Sequence, residues 1–184
     1  MPSKFVVKPE AAQVALEWRD KFGLTVFVET GTFNGETTEW AKEHFDTVYT
    51  IELEPLRVAA NIKKFADSNV IVIAGDSGEK LPELLDKLGD AKALIFLDAH
   101  LTGPTPGMEC PLRRELLAIA PNTQHCVMID DANWFTHKPP SAARKPEQFP
   151  RYPEIEEILS LWKLWSLPAN VIAAVSKELY DEVL

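Results

Sequence analysis

Five acidic residues follow short apolar runs at nearly even spacing, and their carboxylates could bind an amino group, a sugar hydroxyl or a metal ion. Each run is rich in β-branched residues and is apolar on both alternating faces, as in a parallel strand buried on both sides. The acids are Glu29, Glu52, Asp76, Asp98 and Asp130. Parallel strands end along one edge of a sheet, where ligands bind. We therefore expect the five carboxylates to lie beside one cleft.

A glycine-containing turn, Glu29-Thr-Gly-Thr-Phe-Asn-Gly35, follows the first run. Gly31 permits a tight bend and a close approach of a ligand to the backbone, and Gly35 lets the next helix pack near the strand. The turn lacks the Gly-x-Gly-x-x-Gly spacing of dinucleotide sites and the Gly-Lys-Ser/Thr ending of triphosphate sites. An acid shortly before the first glycine suits a ligand with an amino group.

The second and third runs end in acids that could bind a nucleoside. Glu52 lies 23 residues after Glu29, a distance at which an acid accepts hydrogen bonds from a ribose diol. Asp76 could accept a hydrogen bond from an adenine amine, with Ser77 beside it. The alternatives are a solvated strand-end acid at Glu52 and a helix N-cap at Asp76.

A second acidic cluster is predicted after the fourth and fifth runs, where Asp98, Asp130 and Asp131 should meet. Three adjacent carboxylates cannot all stay ionised without a cation, and Mg²⁺ or another divalent ion takes such oxygen ligands. Asn133 is a further candidate ligand. His100 could accept a proton from a hydroxyl, since imidazole titrates near neutral pH. Metal-assisted catalysis, metal-free general-base catalysis and a purely structural role all remain open.

The segments between these runs carry helical patterns, so the sequence predicts alternating helices and strands. The expected strands are 25–29, 48–52, 70–74, 93–97 and 126–130, and the expected helices are 9–22, 36–45, 55–66, 77–88 and 112–120. Such alternation closes into a right-handed α/β sheet. A last helix is predicted from Pro153 to Trp165, with Trp162 and Trp165 packed in the core. Segments 170–175 and 181–184 are expected to form two antiparallel strands.

Two long loops, residues 100–111 and 131–152, follow the fourth and fifth strands and should overhang the cleft. The second loop is rich in aromatic and basic residues, which could form a lid over an aromatic or anionic substrate or could simply pack the loop. These residues are Trp134, Phe135, Phe149, Tyr152, Arg144, Lys145 and Arg151.

Composition limits the partners. The 184 residues suit one domain spanning 1–184, and a net charge of −9 argues against a nucleic-acid partner. Cys110 and Cys126 are expected to be reduced thiols of a cytoplasmic protein. No apolar run is long enough to span a membrane. A small-molecule substrate is expected, and a homodimer is left open.

Four segments together resemble class I S-adenosylmethionine-dependent methyltransferases: the turn 29–35, Thr50-Ile-Glu52-Leu, Gly75-Asp76-Ser77 and Phe96-Leu-Asp98. The resemblance covers about residues 25–135. It implies a Rossmann-like α/β fold, with a doubly wound, mostly parallel seven-stranded sheet, helices on both faces and a C-terminal antiparallel strand pair. Phe33 departs from the pattern, because many members of the family have a third glycine there.

The resemblance also implies roles for individual residues. Glu52 would hold the ribose of S-adenosylmethionine, Asp76 and Ser77 the adenine, and Asp98 the cofactor amine. The methionine part would be wrapped by Glu29, Thr30, Gly31, Thr32 and Gly35.

The predicted acidic cluster is similar to that of catechol-type and macrolide-sugar O-methyltransferases, in which a metal binds the substrate hydroxyl. Asp98 and His100 would then be catalytic, and the expected reaction is methyl transfer to a small-molecule hydroxyl. Aminopropyl transfer, another reaction of the same fold and an inactive cofactor-binding module are the alternatives. A NAD-dependent oxidoreductase is disfavoured, because its glycine fingerprint is missing.

Overall fold

The computed structural model describes residues 8–100, 110–141, 143 and 145–182. Within them, seven strands form one sheet. The strands are β1 (Val26–Thr30), β2 (Thr47–Glu52), β3 (Val70–Ala74), β4 (Ala93–Leu97), β5 (Cys126–Ile129), β6 (Trp162–Leu167) and β7 (Val171–Ser176).

The strand order is β3-β2-β1-β4-β5-β7-β6. The first five strands pair in parallel, while β7 lies antiparallel to both β5 and β6. The order reverses between β1 and β4, and ligands of open α/β sheets bind at such a reversal. In the register of this pair, Thr30 lies opposite Leu97. The turn after β1 and the segment after β4 are therefore neighbours at the carboxyl edge of the sheet.

Eight α-helices accompany the strands in the described residues. They are α1 (Pro9–Phe22), α2 (Glu36–Ala41), α3 (Pro55–Lys64), α4 (Ser77–Leu88), α5 (Leu112–Ile119), α6 (Ala132–Thr136), α7 (Tyr152–Ile158) and α8 (Lys177–Asp181). A short 3-10 helix spans Pro146–Gln148. No helix among the described residues is long and apolar enough to cross a membrane.

Two apolar layers enclose the sheet, because successive strand residues point to opposite faces. Val28 packs in one layer and its neighbour Phe27 in the other. Helices α4, α5 and α7 supply core residues to the Val28 side, while α1, α2 and α8 supply them to the Phe27 side. The predicted fold class is confirmed. Cys110 and Cys126 are both free and buried.

The C-terminal part differs from the sequence prediction. The helix expected from Pro153 to Trp165 ends at Ile158, and Trp162 and Trp165 lie in strand β6. The expected helical packing of the two tryptophans is therefore wrong. Lys163 and Trp165 pair with Val175 and Ala173 of β7, so the ladder hydrogen bonds of the edge strand outweigh local helical spacing.

The expected final strand at 181–184 is also wrong in its described part. Asp181 ends helix α8, and the Ser176 hydroxyl caps this helix by accepting from the Leu179 amide at 3.0 Å. The antiparallel partner of β7 is β6 instead. Residues 183–184 lie outside the described part of the chain.

Gly31 lets the turn after β1 lie directly against the chain after β4. Its φ is +85°, and a Cβ atom built there would lie 2.6 Å from the Asp98 carbonyl oxygen and 3.0 Å from the Ala99 Cα. Both contacts are with backbone atoms, which cannot swing away. The turn and the Asp98 segment therefore keep their close spacing only with glycine at this position.

We expect Gly31→Ala to destabilise the protein more than Gly23→Ala. Gly23 also has a positive φ, +67°, but an added Cβ would meet nothing within 4 Å. Both substitutions pay about 1–2 kcal/mol for the left-handed backbone, and only Gly31→Ala adds overpacking, worth about 1–3 kcal/mol. Urea unfolding of the two variants measures the difference. Equal destabilisation would contradict the close packing at Gly31.

Candidate active site

The carboxylate of Glu29 lies inside the fold, beneath the turn that follows β1. It is 1% exposed, and its Oε2 accepts hydrogen bonds from the hydroxyls of Thr38 (2.5 Å) and Thr50 (2.6 Å). Burial raises its pKa to about 7, although these hydroxyls lower it in part. Thr32 continues the network through a 2.6 Å bond to the Thr50 hydroxyl. Glu29 thus joins β1, β2 and α2 rather than presenting a free carboxylate to a cleft.

Glu52, at the end of β2, accepts a hydrogen bond from the turn that follows β1. Its Oε2 accepts from the Phe33 amide and its Oε1 from the Glu54 amide, both at 2.8 Å. Phe33 occupies the left-handed region, with φ of +50°, and its ring lies 4.1 Å from the Arg57 guanidinium carbon. A non-glycine residue at this position of the turn is thus held by a hydrogen bond and a cation–π contact.

Gly35 lies where the turn after β1 packs against helix α3. Its φ is +74°, and a Cβ atom there would lie 2.7 Å from the Asn61 side-chain oxygen and 2.9 Å from the Phe65 ring. The glycine therefore permits contact with helix α3 and the residue after it. The Asn61 amide also donates to the Phe33 carbonyl at 2.9 Å, which ties α3 to the same turn.

Asp76 is the N-cap of helix α4, which was the alternative to a ligand-binding role. Its Oδ1 accepts from the Gly78 amide at 2.8 Å, and its Oδ2 lies 2.9 Å from the guanidinium of Arg114. The same guanidinium covers Gly78, where an added Cβ would lie 2.6 Å from its carbon. Ser77 is 5% exposed at the first position of α4. The Asp76 carboxylate is thus engaged by α4 and α5 together.

Asp98 is the most crowded acid of the site. Burial is the largest influence raising its pKa, followed by the carboxyl groups of Asp130, Glu29, Asp131 and Glu115. Its amide donates to the Thr30 carbonyl at 3.1 Å, which fixes it beside the turn. An acid among four others is stabilised by a proton or by a positively charged ligand.

His100 lies against two acids and two aromatic rings. Its Nε2 is 3.9 Å from Oδ1 of Asp98 and 4.0 Å from Oδ2 of Asp131. The rings of Trp134 and Phe135 pack edge-on at 5.6 and 5.2 Å. Burial lowers the pKa of His100 to about 4, whereas the sequence suggested an imidazole titrating near neutral pH. The ring is therefore neutral at pH 7.

Asp130 and Asp131, the two acids that follow β5, have different neighbours. Asp131 has a left-handed backbone, with φ of +51°, and its pKa is raised to about 6 by burial and then by Asp130. Asp98, His100 and Asp131 each offer a ligand atom, and these atoms lie within 4.8 Å of one another. Asp130 is not in this group and instead accepts a hydrogen bond from the Asp131 amide at 2.8 Å. The metal cluster of Asp98, Asp130 and Asp131 suggested by the sequence therefore stays a prediction.

Asn133, the further ligand suggested by the sequence, forms two hydrogen bonds with Asn170. Its side-chain oxygen accepts from Asn170 Nδ2 at 2.8 Å, and its backbone amide donates to the Asn170 side-chain oxygen at 2.9 Å. This pairing connects helix α6 to the start of β7.

The aromatic residues of the second loop serve mainly as packing. Phe135 is fully buried and Phe149 is 5% exposed, and their rings stack at 6.0 Å in the core. Trp134 packs edge-on to Phe149 at 6.1 Å. These contacts support the local-packing interpretation for the two phenylalanines. Arg144 and residues 101–109 of the first loop lie outside the described part of the chain.

Glu115 of helix α5 is a buried acid that the sequence analysis missed. It is fully buried on the side of α5 that faces the sheet core. Burial raises its pKa to about 7, an effect that the nearby Ser77 and Thr30 hydroxyls partly offset. The signal was available, because Glu115 falls on the apolar face of α5 beside Leu112, Leu116 and Ile119.

Comparison with known proteins identifies the fold. No protein-family model and no curated protein matches the sequence. Solved structures do match. A candidate caffeoyl-CoA O-methyltransferase from Staphylococcus aureus is 14% identical, with a TM-score of 0.61, over 93% of this chain and 85% of that one. An O-methyltransferase from Bacillus cereus, solved with SAH, is 16% identical, with a TM-score of 0.53, over 96% of this chain and 84% of that one. A SAM-dependent methyltransferase from Anabaena variabilis is 13% identical, with a TM-score of 0.55, over 90% and 82%. At these levels of sequence identity, the similarity shows a shared fold and no more.

We expect the stability of the protein to fall as the pH rises through the range in which Glu115 and Glu29 ionise. Each has an unfolded pKa near 4.5 and a folded pKa of about 7, so their stabilising protonation is complete below 4.5 and is lost as the pH passes 7. Glu115→Gln removes one of the two groups. The fall in unfolding free energy between pH 5 and 8 should therefore shrink by up to about 3 kcal/mol.

Urea unfolding at several pH values checks this expectation. Glu157→Gln is the matched control, because Glu157 is exposed and its replacement changes the charge equally. An unaltered pH dependence in Glu115→Gln would show that Glu115 ionises normally in the folded protein.

Proposed function

We propose that this protein transfers a methyl group from S-adenosylmethionine to a hydroxyl of a small molecule. The observation that carries the proposal is the reversal of strand order between β1 and β4, where the Gly31 turn and the buried acid Glu52 meet. Matched structures with this fold include proteins described as O-methyltransferases and a SAM-dependent methyltransferase.

The residues around the turn fit the cofactor. A carboxylate has about four lone-pair sites, and the two backbone amides on Glu52 use only two of them. The remaining sites can accept hydrogen bonds from a ribose diol. We assign the methionine part to the backbone of Thr30, Gly31 and Thr32. Glu29 and Gly35 position this turn, because both are engaged within the fold.

The adenine end is assigned to the start of helix α4. Ser77 begins that helix, and the Arg114 ion pair fixes the Asp76 carboxylate beside it. The carboxylate keeps lone pairs that an exocyclic amine could use. Asp76 would then serve both the helix cap and the ligand.

The charge of the site favours a cationic ligand. Asp98 is surrounded by four other carboxyl groups, and a positive charge beside them lowers the free energy of their ionised forms. S-adenosylmethionine carries an ammonium and a sulfonium group. When bound, it would supply an electrophilic methyl group, which the acceptor oxygen attacks in line as S-adenosylhomocysteine leaves.

The acceptor hydroxyl must lose a proton as it attacks. Asp131 has a pKa of about 6, close to the pH at which a general base works best. Asp98 has a carboxylate oxygen close to those of Asp131 and His100, and it can orient the acceptor hydroxyl. Burial lowers the pKa of His100 to about 4, which makes it the weaker base. A divalent cation held here would supply Lewis acidity toward the hydroxyl.

The compartment and the class of substrate are proposed from the cysteines and the net charge. Two free, buried cysteines suit a reducing compartment such as the cytoplasm. The chain is proposed to act as one domain on a small molecule, since a net charge of −9 disfavours a nucleic-acid backbone.

Calorimetric titration with S-adenosylmethionine and S-adenosylhomocysteine tests the proposal. We expect micromolar binding of both compounds. Glu52→Gln should weaken it about 10- to 100-fold, the cost of losing charged hydrogen bonds to the ribose.

Glu43→Gln is the control for net charge, because Glu43 is exposed and lies after helix α2. It should bind both compounds as the wild type does. Absence of binding to either compound in the folded wild-type protein would refute the proposed function.

A further inference from the structure

Four contacts form a closed circuit around the carboxylate of Glu52. The backbone amides of Phe33 and Glu54 donate to its Oε2 and Oε1, each at 2.8 Å. The Arg57 guanidinium carbon lies 4.1 Å from the centre of the Phe33 ring, and Arg57 Nε lies 2.8 Å from Glu54 Oε2. One arginine therefore joins the two residues whose amides bind this carboxylate.

The two amides fix the direction of the Glu52 carboxylate. A carboxylate that accepts a bond on one oxygen can still turn about its last side-chain bond, whereas one amide on each oxygen sets its plane. Glu52 is only 3% exposed, so water has little access to replace these bonds. Each oxygen keeps a second lone pair, and these two free acceptor sites therefore point in set directions.

The backbone of Phe33 needs support to keep its amide on Glu52. Its φ of +50° is in the left-handed region, which residues with a β-carbon disfavour. Helix α3 supplies the support, because Arg57 covers the ring and Asn61 donates to the Phe33 carbonyl at 2.9 Å. Arg57 and Asn61 are four residues apart and so share one face of the helix.

We propose that Arg57 is a positioning residue that orients the Glu52 carboxylate, so that the site selects a ribose diol over a deoxyribose. The diol selection rests on the proposed function, but the orientation of Glu52 does not. Two ribose hydroxyls can donate to the two free acceptor sites, whereas a 2′-deoxyribose fills only one. The missing bond to a charged acceptor weakens binding about 10- to 100-fold.

Removal of the arginine should reduce this selection. Arg57→Gln loses the ion pair with Glu54, whose two side chains are 31% and 37% exposed, and the cation over the Phe33 ring. Contacts of this exposure each change an equilibrium constant about 2- to 5-fold. The preference for S-adenosylhomocysteine over its 2′-deoxy analogue, measured by calorimetric titration, should therefore fall about 3- to 10-fold.

Two single variants serve as comparisons. Arg57→Lys keeps a cation that can reach both the ring and Glu54, so it should retain the preference within about twofold. Arg19→Gln is the matched control, because Arg19 also pairs with a neighbouring acid, Asp20. Its guanidinium donates to the His44 carbonyl before β2 begins, at the opposite end of that strand from Glu52. Arg19→Gln should leave the preference unchanged.

A double-mutant cycle with Phe33→Gly tests whether Arg57 acts through the turn. Glycine adopts a positive φ without support and has no ring for the arginine to cover. In this background Arg57→Gln should change the preference less than about twofold. If Arg57 only stabilised the fold, its loss would have the same effect with and without the Phe33 ring.

Amide hydrogen exchange tests the orientation of Glu52 without any ligand. The Phe33 and Glu54 amides, followed by NMR, should exchange about 3- to 10-fold faster in Arg57→Gln than in the wild type. Arg19→Gln should not change them. Unchanged exchange in the central strand β4 would show that the Arg57→Gln variant remains folded.

The outcomes separate this proposal from the proposed function. Cofactor binding with an unaltered preference and unaltered amide exchange in Arg57→Gln would overturn the role of Arg57 and leave methyl transfer standing. An equal loss of preference in the Phe33→Gly background would overturn it as well. Faster amide exchange in a protein that binds neither ligand would overturn the diol selection together with the proposed function, and would leave only the orientation of Glu52.

Discussion

Crowding of carboxyl groups at the carboxyl edge of the sheet is the constraint on which the site depends. The parallel strands β1, β4 and β5 end there together, so their terminal acids are brought into one low-dielectric region. Burial and four neighbouring carboxyls raise the pKa of Asp98, and burial is the main cause that raises those of Glu29 and Glu115 to about 7. Such a cluster is stabilised by protons or by positive charge.

The acids are placed by contacts that do no chemistry themselves. Gly31 brings the turn after β1 against the Asp98 backbone, where a Cβ atom would collide. Glu29 joins β1, β2 and α2 through two threonine hydroxyls, and Glu52 fixes the turn through the Phe33 amide. The turn after β1 and the Asp98 segment are therefore held in place by buried polar groups and by a close backbone contact. Part of the acid series that stood out in the sequence belongs to this supporting set.

The fold followed from the sequence because its buried parallel strands read as continuous apolar runs, with a glycine turn after the first of them. The errors fall where long-range pairing overrides local pattern. Trp162 and Trp165 have helical spacing, but pairing with β7 makes the segment a strand. In the site, chain order could place Asp98, Asp130 and Asp131 together but could not orient their side chains. Asp131 has a left-handed backbone and one of its carboxylate oxygens lies 4.0 Å from His100, while Asp130 accepts from the Asp131 amide. Glu115 lies on a helix, so the pattern of acids at strand ends does not predict its place near the site.

The most direct test of this account is a crystal structure of the protein with S-adenosylhomocysteine. We expect the ligand to lie over the Gly31 turn, with its ribose hydroxyls on Glu52 and its sulfur directed toward the group formed by Asp98, His100 and Asp131. Ligand bound elsewhere on the protein, or bound at this edge with its sulfur turned away from that group, would contradict the account.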